Sequence, residues 1–309
     1  MPTKCAARAP TVVVPGNHDG VHIGHQQLLA RARALAEPNG WCTEAMFFDP
    51  HPATVLAPER APAMLTLPGR RAELLSAMGA DRAEAQRFDL SFSQLSPEAF
   101  ALDVLRGAHN ARAVVVGPDF RFGKGRAGSV DTLRALGFEV ATAEPVLLDG
   151  VRVSSSEIRR RLRAGDVRGA AQMLGRVHET EGVVEHGQAL GRTLGFLSAN
   201  VRSDGTLLPS DGIYAVIARA VDDVGPKLWH GVASLGERPT VDAGRALEVH
   251  LFDVSPDLYG KRLRVGWVDR IRDEAKFGGL DELKNAIAHD AKVGRGQLAA
   301  LPKEWTRWI

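Results

Sequence analysis

The sequence predicts a chain of two domains: an α/β half built on a parallel sheet, then an antiparallel β half that ends in a helix. Three observations carry that expectation. The 309 residues exceed one small domain and suit two of ordinary size. From Thr11 to about Ala171, short apolar runs alternate with amphipathic stretches, as strands and helices do when they follow one another. From about His178 the pattern changes to short strand-like runs parted by Gly and Pro turns, which suits a small antiparallel barrel. We place the domains at 1–177 and 178–309.

In the first half, Thr11–Val14, Glu44–Phe48 and Ala113–Val116 are apolar enough to be buried strands. Gly24–Ala36, Gly69–Met78, Pro97–Arg106 and Val130–Leu136 have helical character. Strand then helix, repeated, implies parallel pairing, and such sheets bind ligands at the carboxyl ends of their strands. Ser155–Met173 reads as one or two helices at the junction. In the second half, Gly182–Glu185, Ile213–Ala220, Leu228–Ser234, Leu247–Val254 and Arg262–Val268 read as strands. A helix from Leu280 to about Val293 follows, with Leu283 and Ile287 four residues apart on one face.

Composition removes several function classes. Hydrophobic residues make up 44% and charged residues 25%, the balance of a chain with a sizeable core. Lys+Arg is 39 against Asp+Glu 37, so there is no basic excess to hold nucleic acid. No apolar run is long enough to span a membrane, and Met1 to Pro10 lacks signal-peptide character. Cys5 and Cys42 are too few for a disulfide framework or a thiolate zinc site, so we expect a reducing, cytoplasmic setting. Oligomeric state is not legible.

The chemistry concentrates in a few loops. The first strand runs through Gly16-Asn17-His18-Asp19-Gly20-Val21-His22-Ile23-Gly24-His25 straight into a helix, an arrangement suited to phosphate. His22 and His25 can donate hydrogen bonds to polyphosphate oxygens where charge grows during nucleotidyl transfer. Gly24 allows close approach at the helix start. The bland alternative is a surface His pair beside a turn. After the second strand, His51 is held between Pro50 and Pro52. After the third, Gly117–Gly125 mixes glycines and cations with Asp119, Phe120 and Phe122; as a plain solvated loop it would leave both rings exposed without reason. Ser155 and Arg159 open a helix, where serines also serve as caps.

In the second half, His186–Phe196 is Gly-rich but lacks the Gly-Lys-Ser/Thr ending of a Walker loop. Ser198 and Asn200 would share one face of an extended strand. Their oxygens suit Mg²⁺ beside substrate phosphates, though both are also common turn residues. Glu248 shares a strand face with His250 and Phe252; it is either a general base or a solvent-facing carboxylate.

Taken in order, these stretches resemble the prokaryotic bifunctional riboflavin kinase/FMN adenylyltransferase (FAD synthetase) family. The first half carries that family's Gly-x-Phe-Asp-Gly-Val-His-x-Gly-His as Gly16–His25, and its Ser-Ser-Thr/Ser-x-Ile-Arg as Ser154–Arg159. The second carries Gly191-Arg192-Thr193-Leu194-Gly195-Phe196, Asp211-Gly212-Ile213-Tyr214, Arg238-Pro239-Thr240, Glu248, Tyr259-Gly260 and Ile271–Phe277. The resemblance implies a Rossmann-like nucleotidyltransferase sheet and a six-stranded riboflavin-kinase-type barrel. It implies phosphorylation of riboflavin by ATP, then transfer of AMP from ATP to FMN with release of pyrophosphate. It implies that His22 and His25 hold the ATP phosphates, with Gly16, Asn17, Asp19, Gly24, Ser155 and Arg159 about the nucleotide. Gly187, Gly191 and Arg192 would bind nucleotide at the second site. His51, Asp119, Phe120 and Arg272 would meet flavin. Ser198 and Asn200 would hold Mg²⁺, and Glu248 would be the base.

Three departures stand out: His18 for the family's usual Phe, Pro15 for an aliphatic residue, and Leu197-Ser198 for Pro-Thr. Ser198 keeps the hydroxyl but lacks the methyl that restricts its rotamer, and Leu197 lacks proline's fixed φ. They leave open a divergent paralogue with only adenylyltransferase activity or a flavin-analogue substrate. A flavin-binding protein without turnover is the other alternative.

Overall fold

The computed structural model of the protein describes residue 5 and residues 9–185, 198–221, 228–237, 245–254 and 256–309. By internal contacts the chain divides into two units, Met1–Ser154 and Ser155–Ile309. The division falls ahead of the boundary expected at 177/178, because the junction helices α5 (Ser155–Arg163) and α6 (Val167–Leu174) group with the barrel. α6 packs on a barrel strand, and the Leu162 carbonyl accepts the Ser210 N–H at 3.0 Å.

The first unit is built on five parallel strands, β1 (Thr11–Gly16), β2 (Cys42–Asp49), β3 (Arg82–Arg87), β4 (Ala111–Val116) and β5 (Glu139–Thr142), in the order β3-β2-β1-β4-β5. β1 is central, and Val12, Val13 and Val14 are fully buried, so both faces of the sheet are covered. Helix α1 (Ile23–Ala36) lies against β1, β2 and β4, and α2 (Pro68–Ala77) against β3. The helix expected over Pro97–Arg106 begins as α-helix at Pro97–Ala99 and continues as a π-helix, α3 (Phe100–Ala108). α4 (Val130–Ala135) starts from a Ser129/Thr132 capping box. β6 (Leu147–Leu148) and β7 (Val151–Arg152) form a small hairpin.

Two strands of the five-stranded sheet were not visible in the pattern. β3 reads Arg-Ala-Glu-Ala-Gln-Arg and β5 is short; both are edge strands, where apolar runs are not required. The cysteines also depart from expectation: Cys5 and Cys42 are joined in a disulfide, with Cα atoms 6.0 Å apart. Two residues cannot make a framework of bridges, but one bridge needs only two Cα atoms within reach.

The second unit is a closed antiparallel barrel of β8 (His178–Glu185), β9 (Ser198–Ser203), β10 (Gly212–Ala220), β11 (Trp229–Glu237), β12 (Arg245–Leu251) and β13 (Arg262–Arg272), ordered β10-β11-β12-β9-β8-β13. β8 starts four residues earlier than Gly182, the expected start. Its polar opening is buried because Glu181 is paired with Arg264 at 2.6 Å. The final helix, α7 (Leu280–Ala299), runs past Val293 through Gly294. A Cβ at Gly294 would lie 2.9 Å from Val232 Cγ1, so this glycine sets how closely the helix meets the barrel.

Candidate active sites

The order of the first sheet changes direction at β1: β2 and β3 lie to one side, β4 and β5 to the other. Loops leaving β1, β2 and β4 at their carboxyl ends therefore surround the place where such sheets bind ligands. Gly16–His25, His51 and Gly117–Phe122 occupy those three loops.

The first loop is held from within. Asp19 is 2% exposed, and its carboxylate accepts the Leu65 N–H at 3.0 Å and the Thr66 N–H at 3.0 Å. The Thr66 hydroxyl donates to it at 3.2 Å, as does Arg71 Nη2. Arg71 also donates to the Asn17 carbonyl, and its guanidinium lies over Phe47. This web keeps two residues in the left-handed region, His18 (φ 50) and Val21 (φ 42). For a β-branched residue such as Val21 that conformation is costly, and it persists only where surroundings over-determine it. Asp19, expected about the nucleotide, faces inward to this web.

The three histidines pack together. His22 caps α1: its Nδ1 accepts the His25 backbone N–H at 3.3 Å. In the neutral ring the proton then sits on Nε2, which makes that atom a donor. The His25 ring stacks on His22 with centroids 3.6 Å apart and meets His18 edge-on at 4.9 Å. A Cβ at Gly24 would come 3.1 Å from the His22 ring, and one at Gly16 would come 2.9 Å from the His18 ring. The clearance at these glycines is thus used by imidazoles of the loop. His18 is 1% exposed and donates from Nε2 to the Val14 carbonyl at 2.8 Å. Burial, opposed by that hydrogen bond and aided by Arg71, lowers its pKa from 6.5 to about 4.

The neighbouring loops join this frame. The Asn17 side-chain amide lies 3.0 Å from His51 Nε2, and His51 Nδ1 accepts the Ala53 N–H to cap a short helix, Pro52–Leu56. Asp119 is exposed and receives Arg152 Nη1 from the β6–β7 hairpin at 3.3 Å. The aromatics of its loop are not stranded in solvent, contrary to the expectation for a solvated loop. Phe122 is 6% exposed and packs on Phe100, while Phe120, half-buried, stacks on Phe122 at 5.6 Å. Ser155, half-buried, and Arg159, 6% exposed, lie on α5 in the second unit.

In the barrel, register brings the second set together. Asn200 on β9 is the direct partner of Glu248 on β12, and Ser198 of His250. On the other side, Glu248 pairs with Ser234 of β11. Along β12 Val249 and Leu251 are buried, while Glu248 is exposed on the outer face, as alternation requires. A cavity of about 390 Å³ is lined by Ser198, Glu248 and Arg272, with Phe277, Leu283 and Ile287 as apolar walls. A second, of about 270 Å³, is lined by Ala199, Val249, Leu251, Leu258 and Tyr259, and again by Ser198. Ser198 is common to both. Arg272 is held by Asp290 of α7 at 2.9 and 2.7 Å, a partner that sequence reasoning missed. No local pattern marks Asp290; only the pairing across the fold does. Gly187, Gly191, Arg192 and Arg238-Pro239-Thr240 lie outside the described residues.

Among the described residues, no helix is long and apolar enough to cross a membrane, and no cluster of three or more His, Cys, Asp or Glu is placed to hold a metal.

Two family descriptions match the chain, FAD synthetase over residues 4–157 and riboflavin kinase over residues 174–298. A bifunctional riboflavin kinase/FMN adenylyltransferase of Pseudomonas fluorescens is 40% identical over 294 residues, covering 93% of each chain. The enzyme of that description from Escherichia coli K12 is 38% identical over 289 residues, covering 92% of this chain and 91% of its own. A crystal structure from Streptococcus pneumoniae, described as a macrolide-efflux protein, superimposes with a TM-score of 0.84 at 31% identity, over 94% of this chain and 96% of that one.

Proposed function

The chain belongs to the bifunctional riboflavin kinase/FMN adenylyltransferase family, and we propose how its residues divide that family's two reactions. The chain is a transferase that phosphorylates riboflavin to FMN and adenylylates FMN to FAD. We assign adenylyl transfer to residues 1–177 and the kinase to 178–309.

The observation that carries the kinase assignment is the shared wall at Ser198. One cavity has aromatic and aliphatic walls for a flavin ring and the Glu248 carboxylate. The other is a largely apolar recess that suits a nucleotide base. Two substrates seated there meet at Ser198, two residues along β9 from Asn200, which pairs with Glu248. Glu248 takes the proton of the ribityl 5′-hydroxyl as its oxygen attacks the γ-phosphorus of ATP; the bond to the ADP oxygen breaks. Arg272 contacts the flavin.

The donor set fits Mg²⁺: a hydroxyl and an amide oxygen stand on β9, the kind of ligands taken by an ion shared with substrate phosphates. Ser198 and Asn200 would hold it, and the ion would neutralise phosphate charge. Gly187, Gly191 and Arg192 complete the nucleotide contacts in this reading.

Within residues 1–177, His22 and His25 donate to the ATP phosphates as the FMN phosphate oxygen attacks the α-phosphorus and pyrophosphate leaves. Asn17, Gly16 and Gly24 shape the loop, and Asp19 acts as a positioning residue. Ser155 and Arg159 bind triphosphate. His51, Asp119 and Phe120 meet the flavin. The enzyme works in the cytoplasm on small molecules, with no nucleic-acid or membrane partner.

The test is chromatography of flavins after incubation with Mg-ATP, starting from riboflavin in one tube and FMN in the other. FAD in both is expected. FAD from FMN alone would remove the kinase assignment and leave the Leu197-Ser198 departure as its explanation.

A further inference from the structure

Asp290 is 3% exposed, on the barrel-facing side of α7. A carboxylate so deeply buried requires a partner. It has one: Arg272 donates Nε–H and Nη2–H to its two oxygens at 2.9 and 2.7 Å. A third Arg272 donor, on Nη1, goes to the Asp273 carbonyl at 2.8 Å. Of the five N–H groups of a guanidinium, these use three and leave two. The guanidinium also lies over Phe277, 5.6 Å from the ring centroid.

Both members of the pair line the same cavity as Glu248. Four residues on from Asp290, on the same helix face, is Gly294, where an added Cβ would lie 2.9 Å from Val232 Cγ1 of β11. The glycine fixes the depth of the helix, and that depth brings Asp290 to Arg272.

We propose that Asp290 is a positioning residue of riboflavin phosphorylation: from the C-terminal helix it locks Arg272 so that its two remaining N–H donors serve the flavin. This rests on the reading of the barrel cavity as the flavin site. The helix is therefore part of the kinase site, and its face from Leu283 to Gly294 sets affinity for the ring.

The test is steady-state riboflavin kinetics of the full chain carrying Asp290→Asn, with Arg272→Ala and the double variant alongside. The expected result is a KM for riboflavin raised about tenfold, with kcat little changed and FMN adenylylation intact. In the Arg272→Ala background the same substitution should add nothing, because its effect passes through Arg272. Unchanged riboflavin kinetics, or an equal further loss in the Arg272→Ala background, overturns the proposal. Should Asp290→Asn not fold, Gly294→Ala asks the same question by lifting the helix. A raised KM supports the proposal and an unchanged one overturns it. Glu248→Gln run beside these separates the two levels: if it phosphorylates riboflavin at an undiminished rate, the reading of the site itself fails.

Discussion

The two sites hold their polar groups in opposite ways. In the first unit the histidines stand on a loop tied down from below: Asp19 of the loop binds Thr66 and Arg71 beneath the surface, and His18 is neutral and buried. In the barrel, Glu248 and Asn200 stand side by side on paired strands, with register alone bringing them together. A loop needs internal bonds to keep an unusual backbone; a strand is already held by its ladder. Substitutions behind the first site should therefore damage folding and catalysis together, whereas in the barrel the chemistry can be removed from an intact scaffold.

The largest effect expected is at the barrel. Glu248→Gln should slow riboflavin phosphorylation by about 10²–10⁴-fold while leaving adenylylation of FMN unchanged. Chromatography from the two starting flavins reads both rates, and a drop in both would break the comparison. Next, His22→Ala and His25→Ala should each lower adenylyl transfer by about 10²–10³-fold with the kinase rate preserved. Third, Asp19→Ala leaves Arg71 buried without its carboxylate, at a cost of about 3–5 kcal/mol in denaturant unfolding of the first unit. Kinase activity measured below the transition should survive; its loss would contradict the separation.

The smallest effect is a pH dependence. The His18 imidazole has a pKa of 6.5 when unfolded and about 4 when folded, so between those values the unfolded state binds more protons. His18 thus contributes stability that is complete above pH 6.5 and is lost as pH falls toward 4, by about 3 kcal/mol. His18→Phe should flatten that acid slope in unfolding measurements. An unchanged slope would show that other groups cause it.

Much of this was legible from residues alone. Val12–Val14 and Ala113–Val116 announced the centre of the sheet because a strand covered on both faces must be apolar throughout. Alternation along the strand set Glu248 and His250 on one face and Val249 and Leu251 on the other, and the burial along β12 follows that division. What stayed hidden depends on distant pairing. The opening of β8 reads as polar, and only Arg264, far along the chain, makes its burial intelligible. Asp290 carries no signal until Arg272 is opposite it. The Gly16–His25 motif marked the loop that we assign to phosphate, but not that Asp19 faces inward or that Gly24 makes room for His22.

The plain sequence of β3 has a consequence of its own. A barrel of six strands that closes on itself offers no free ladder to a neighbour, whereas an open sheet ends in two. At the β3 end, Glu84 and Arg87 are exposed, where an apolar strand would recruit another copy into a growing stack. The charge that made β3 invisible as a strand blunts that edge against pairing with another copy. Replacing it with valines would make the adenylylating half, and not the barrel, the seed of aggregation.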